Sequence, residues 1–185
     1  MILLVCGLIL FIGVHLLREL KLRDVAIERL GKNYYRLAFS LIAFVGIVFI
    51  VEGKAASPFV QVYEPIYGLQ RISLMLMLPA FILAMAGNLP LSHIRKQVVH
   101  PMLVGTIIWG GAHLWANGDL ESIILFGSIT VWAMIKFVSL LKAKPLPETK
   151  PWFVWDLVAI VSGFCLYGLV LIYHGQLFGI GLALG

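Results

Sequence analysis

Imidazoles inside apolar sequence are the residues of this chain best able to do chemistry. Five histidines are present: His15, His93, His100, His113 and His174. His15 lies in an apolar run with Phe11 and Ile12 one turn before it. Arg18 follows three residues later on the same helical face. An imidazole there either bonds a neighbouring helix or serves as an axial ligand to haem iron, with Arg18 facing a propionate. An unpaired polar group in lipid is costly, so some partner must exist.

His113 sits in a second apolar run and shares its face with Trp109 and Gly110. The glycine leaves room for a flat macrocycle, or for a closely packed helix alongside Ala112 and Ala116. His100 opens the same run, followed by Pro101, which suits a first helical turn. His100 and His113 lie about 20 Å apart along a continuous helix, so they cannot both ligate one iron. His93 sits beside Arg95 and Lys96 in a basic loop. His174 precedes Gly175 at the end of the last apolar run, and solvent is the expected environment of both.

The elements that must position these rings follow from composition. Of 185 residues, 61% are hydrophobic and 12% charged, and the mean hydropathy is +1.00. A soluble domain carries about twice that share of charge. Soluble globules, coiled coils and disordered chains are excluded. Six apolar segments stand out: 1–17, 37–51, 72–89, 98–116, 122–141 and 152–173. Backbone polar groups in hydrocarbon must pair internally, so each reads as a helix. The expectation is an all-α polytopic transmembrane bundle of about six spans, a single domain over 1–185. The first segment lacks a basic leader and a small-residue cleavage site, so it reads as a retained helix rather than a signal peptide.

Charge sets the expected orientation. Arg18, Lys21, Arg23, Arg29, Lys32, Arg36, Arg95, Lys96, Lys136, Lys142, Lys144 and Lys150 all fall on one side of a six-span path. Only Lys54 and Arg71 fall on the other. The positive-inside rule then places both termini outside. The net charge of +5 is thus a topological signal, and no nucleic-acid partner is implied. The lipid bilayer is the expected partner.

Lys136 lies near the inner end of its helix and can snorkel. Asp156 suits the first turn of the last helix, where the backbone favours an anion. Asn117-Gly118-Asp119 reads as a tight turn: Gly118 ends one helix in the left-handed conformation and Asp119 caps the next. Cys6 and Cys165 stand singly in apolar runs and read as small buried hydrophobes. Walker, GxSxG, HExxH and GxGxxG motifs are absent from the sequence, and no intramembrane carboxylate pair suggests proton pumping.

Several stretches carry a family resemblance. They are Gly7 to Arg18 (GLILFIGVHLLR), His100 to Gly105 (HPMLVG), Trp109 to Asp119 (WGGAHLWANGD) and Leu125-Phe126-Gly127. The chain resembles the NnrU family of bacterial membrane proteins and, more distantly, plant zeta-carotene isomerase. The resemblance implies a multi-pass protein of the bacterial inner membrane, linked to denitrification and nitric oxide metabolism. Membrane components of nitrite or nitric oxide respiration are its implied partners. The isomerase branch implies haem b, with His15 and His113 as iron ligands. That enzyme has a cysteine where Gly110 stands here, so thiolate ligation does not carry over. The His-Pro element also resembles that of membrane methyltransferases, but Val99 stands where arginine precedes it.

Depth in the bilayer makes His100 the nearer mate of His15, since His15 and His113 would differ by about 15 Å. The resemblance favours His113. Three functions remain expected: a haem-binding accessory or redox-sensing protein of nitrogen-oxide metabolism, a haem-dependent cis–trans isomerase of a polyene lipid, and a cofactor-free assembly factor. Methyl transfer is a minor fourth.

Overall fold

A computed structural model describes residues 1–141 and 150–179. Lys142 and Lys144 of the expected basic loop, and 180–185, lie outside the described residues. Among the described residues eight helices follow one another: α1 (Ile2–Leu16), α2 (Leu22–Leu30), α3 (Lys32–Ala55), α4 (Tyr67–Asn88), α5 (His93–Val98), α6 (Pro101–Ala116), α7 (Leu120–Leu141) and α8 (Phe153–Phe178). Each of the six apolar segments forms one helix. Among the described residues the only β pairing is an isolated bridge between Gln61 and Asp119.

Four helices, α3, α4 from Gly68, α7 and α8, are long and apolar enough to cross a bilayer. At 15 and 16 residues, α1 and α6 extend about 22–24 Å, short of a ~30 Å hydrocarbon core. The protein is a helical multi-pass membrane protein, and apolar side chains such as Ile9, Phe44, Met75 and Phe164 point outward from it.

Helix ends depart from the expected bounds for local reasons. Gly31 has φ +78 and separates α2 from α3, so α3 starts five residues before the apolar run does. Pro79 lies within α4 without ending it. Ser92 caps the short α5, its hydroxyl accepting from Arg95 N. Val99, at φ +64, then breaks the chain before α6, whose first residue is Pro101. The last helix runs on past Tyr173 to Phe178, where Gly179 closes it at φ +71.

The six long elements alternate in direction. The Met1 ammonium donates to Ser57 Oγ (2.7 Å) just beyond α3, so α1 and α3 are antiparallel. A Cβ on Gly7 would stand 2.7 Å from Ile50 N, which shows how closely their backbones pass. α4 packs on both α6 and α8, and α7 packs on α6 and α1. At the α4–α8 crossing a Cβ on Gly163 would stand 2.7 Å from Ile82 Cα. Leu4, Leu8, Ile50, Leu125 and Phe126 form the buried core near Met1; Leu103, Trp132 and Ala133 form the other.

At each end particular charges are paired. Lys136 is held in an ion pair. Its Nζ donates to Glu19 Oε2 (2.7 Å) and to the His15 carbonyl (2.8 Å), tying α7 to the end of α1. Asp156 does more than suit its own helix. It accepts from His93 N (3.0 Å), Ile94 N (2.8 Å) and His93 Nδ1 (2.7 Å), so it fastens α5 to α8. His93 is therefore bonded, although its ring is largely exposed. Both cysteines are exposed on the outer surface rather than buried.

The turn between α6 and α7 corrects another expectation. Asp119 does cap α7, accepting from Ser122 N (2.8 Å). Gly118, however, is not left-handed; positive φ among described glycines occurs at Gly31 and Gly179. It is needed because the segment around Val62 and Tyr63 lies against it: Val62 N (2.7 Å) and Tyr63 N (3.1 Å) both donate to its carbonyl. A Cβ there would collide with the Tyr63 carbonyl.

Candidate functional site

The helices near the Met1 end frame a partly open cavity of about 560 Å³, within the usual range for small-molecule sites. Its walls are mainly apolar, with Leu74, Met77, Phe81, Leu125 and Ile129 among them. Polar groups gather toward one end: Lys54, Gln70, Asn117, Ser122, His113 and His174.

His113 reaches this cavity from α6. Its Nδ1 lies 2.8 Å from the Trp109 carbonyl one turn back. A carbonyl oxygen only accepts, so Nδ1 carries the proton and Nε2 keeps the lone pair. The ring stacks on Phe126 (centroids 4.4 Å) and tilts against Trp109 (5.0 Å). A hydrogen bond to the far ring nitrogen holds an imidazole in the fixed orientation that metal binding needs.

His15 is built the same way but elsewhere. Its Nδ1 lies 2.6 Å from the Phe11 carbonyl. Phe11, Phe39 and Trp132 surround the ring at 4.4, 4.9 and 5.3 Å. It does not line the cavity; it sits near the Lys136 end of the bundle. His100 is at that end too, as the residue before Pro101, with Phe137 at 6.2 Å. Arg18 is exposed in the turn after α1. The expected residues thus fall into two groups: His113 at the cavity, and His15, His100 and Arg18 toward the opposite end. Among the described residues no cluster of three or more His, Cys, Asp and Glu side chains could hold a bare metal ion.

His174, which the sequence places in solvent, is instead at this cavity. Because α8 continues to Phe178, His174 is half-buried on the cavity wall, its ring 5.1 Å from Phe178. The signal was present: Gly163, Tyr167, Val170, Leu171, His174 and Phe178 recur at helical spacing. Taking Gly175 as a stop concealed it.

A buried ionic cluster closes the polar end. Lys54 Nζ lies 2.7 Å from Asp119 Oδ2 and 3.5 Å from Glu121 Oε1. Burial would raise the Asp119 carboxyl, but the bonds from Lys54 and Ser122 outweigh it and hold the group below its ordinary value. Burial, reinforced by the Asp119 charge, raises the Tyr63 hydroxyl, which donates to the Asn117 carbonyl at 2.8 Å. Ser122 is fully buried on the cavity wall, and its Oγ has no partner among the described residues. Neither this cluster nor Ser122 was anticipated, since the partners are far apart in sequence.

No curated protein and no solved structure matches the chain. The family described as NnrU protein matches residues 3–182, nearly the whole length and every helix that frames the cavity. The chain belongs to the NnrU family.

Proposed function

We propose that this protein acts in nitrogen-oxide metabolism at the bacterial inner membrane, as an accessory or redox-sensing component that holds haem b in the cavity with His113 as an iron ligand. In this reading six helices cross the bilayer. The basic loops face the cytoplasm, and both chain ends face outward.

One observation carries the reading: His113 stands on the wall of an apolar cavity of about 560 Å³ with Nδ1 fixed by the Trp109 carbonyl. The donor set fits the group. A neutral imidazole with Nε2 available is the commonest protein ligand to haem iron, and the flat aromatic and aliphatic lining suits a macrocycle. Bound there, haem would supply a one-electron redox centre. The chain's own part is to orient the ring through Trp109 and Phe126, and to keep bulk water out with Leu74, Met77, Phe81 and Ile129. Membrane components of nitrite or nitric oxide respiration are the proposed partners.

The test is optical. Protein purified in detergent from haem-replete cells should show a Soret band, and His113→Ala should lose most of it. A protein that stays colourless after haemin addition overturns the haem reading. Deletion should impair growth on nitrite while the respiratory enzymes are still made.

A further inference from the structure

This inference rests on the reading that haem sits at His113. We propose that His174, on α8, is the second axial ligand facing His113 across the cavity.

The geometry begins with the seating of α8. Gly163 lies against Ile82 of α4 with no room for a side chain, and one turn on, Tyr167 donates to the Leu74 carbonyl (3.2 Å). These two contacts fix the rotation of α8. His174 lies two turns beyond Tyr167, about 10 Å further along the axis, and helical periodicity returns it to the same face. That face lines the cavity through Tyr167, Val170, Leu171, His174 and Phe178.

Depth supports the pairing. His113 is three residues from Ala116, the last of α6, and His174 is four residues from Phe178, the last of α8. Both helix ends lie at the Met1 end of the bundle. Tyr63 bonds the Asn117 carbonyl there, and a Cβ on Gly179 would touch Ala55, the last residue of α3 (3.8 Å). His15 fails on depth, because it lies beside Lys136 and Glu19 at the far end.

The chemistry of the wall narrows the choice further. Protein ligands to haem iron are histidine, methionine, cysteine and tyrosine. Cys6 and Cys165 do not line the cavity, and Tyr167 spends its hydroxyl proton on Leu74. Met77 remains, but it stands midway along α4, deeper than His113. His174 is the ligand type at the matching level.

The experiment uses the full-length haem-loaded protein in detergent and reads coordination by optical and EPR spectra. Wild type should be six-coordinate and low-spin. His174→Ala should retain haem but lose the low-spin signal, and added imidazole should restore it. His15→Ala should leave the low-spin signal in place. Retention of that signal in His174→Ala overturns the pairing while leaving haem at His113 standing; its loss in Met77→Leu or His15→Ala instead names the true ligand. Absence of haem from wild type overturns both. Circular dichroism and gel filtration of each variant identify any loss caused by misfolding.

Discussion

Lys54 Nζ meets the Asp119 carboxylate at 2.7 Å across 65 residues of sequence, joining the end of α3 to the cap of α7. The contact is nearly dry, with side-chain exposures of 11% and 8%. Glu121, at 3.5 Å from the same ammonium, has 3% exposure. One cation therefore serves two buried carboxylates. Removing it leaves two uncompensated anions in a low-dielectric site, and the cost of breaking such a pair exceeds what the pair itself contributes. Lys54→Met should lower stability by about 3 kcal/mol. Thermal unfolding in detergent measures it, and adding Asp119→Asn and Glu121→Gln to the Lys54→Met background should recover much of the loss.

Acid sensitivity follows from Asp119 and Glu19, one at each end of the bundle. Asp119 is held below its ordinary value, as described. Glu19 is also lowered: burial opposes this, but the hydrogen bond and charge of Lys136 prevail. A folded-state value below the unfolded one means the unfolded chain binds more protons as pH falls. The stabilisation is complete above the ordinary carboxylate value of about 4 and is lost as pH drops through the lower folded values. The melting temperature should be flat from neutrality to roughly pH 5, then fall. Asp119→Asn with Glu19→Gln should flatten that descent.

Lys136 has a mechanical role at the other end. It bonds both Glu19 and the His15 carbonyl, so its loss frees two acceptors at once. Hydrogen bonds to charged groups contribute roughly 1.5–3 kcal/mol each. Lys136→Met should therefore destabilise more than Glu19→Gln, which keeps a neutral acceptor for the ammonium. Comparing the two melting temperatures tests the order.

Asp156 anchors α5, and its removal should open that loop. Asp156→Ala deletes three acceptor contacts, two of them to backbone N–H groups at the start of α5. A lost cap costs about 1 kcal/mol. Trypsin should then cut faster at Arg95 and Lys96, while the rate at Arg29 in α2 stays unchanged. Equal rates in wild type and variant would contradict the anchoring role.

Close helix approach can be tested at two glycines. A Cβ at Gly163 would stand 2.7 Å from Ile82 Cα, whereas one at Gly127 meets nothing within 4 Å. Gly163→Ala should cost about 1–3 kcal/mol through forced separation of α4 and α8. Gly127→Ala should be neutral or slightly stabilising.

Much of the architecture was legible in local sequence. Hydrocarbon leaves the backbone no choice but internal pairing, so each apolar run became a helix, and Asp119 capped α7 as its position implied. The family was legible too, in WGGAHLWANGD and its neighbours. Local pattern could not say which polar groups meet, because helical periodicity assigns a residue to a face but not that face to a neighbour. Only packing, set where glycines such as Gly7 and Gly163 let backbones touch, decided that Lys54 faces Asp119 and Lys136 faces Glu19. The same packing brought His174 to the cavity wall with His113 and left His15 among Phe11, Phe39 and Trp132.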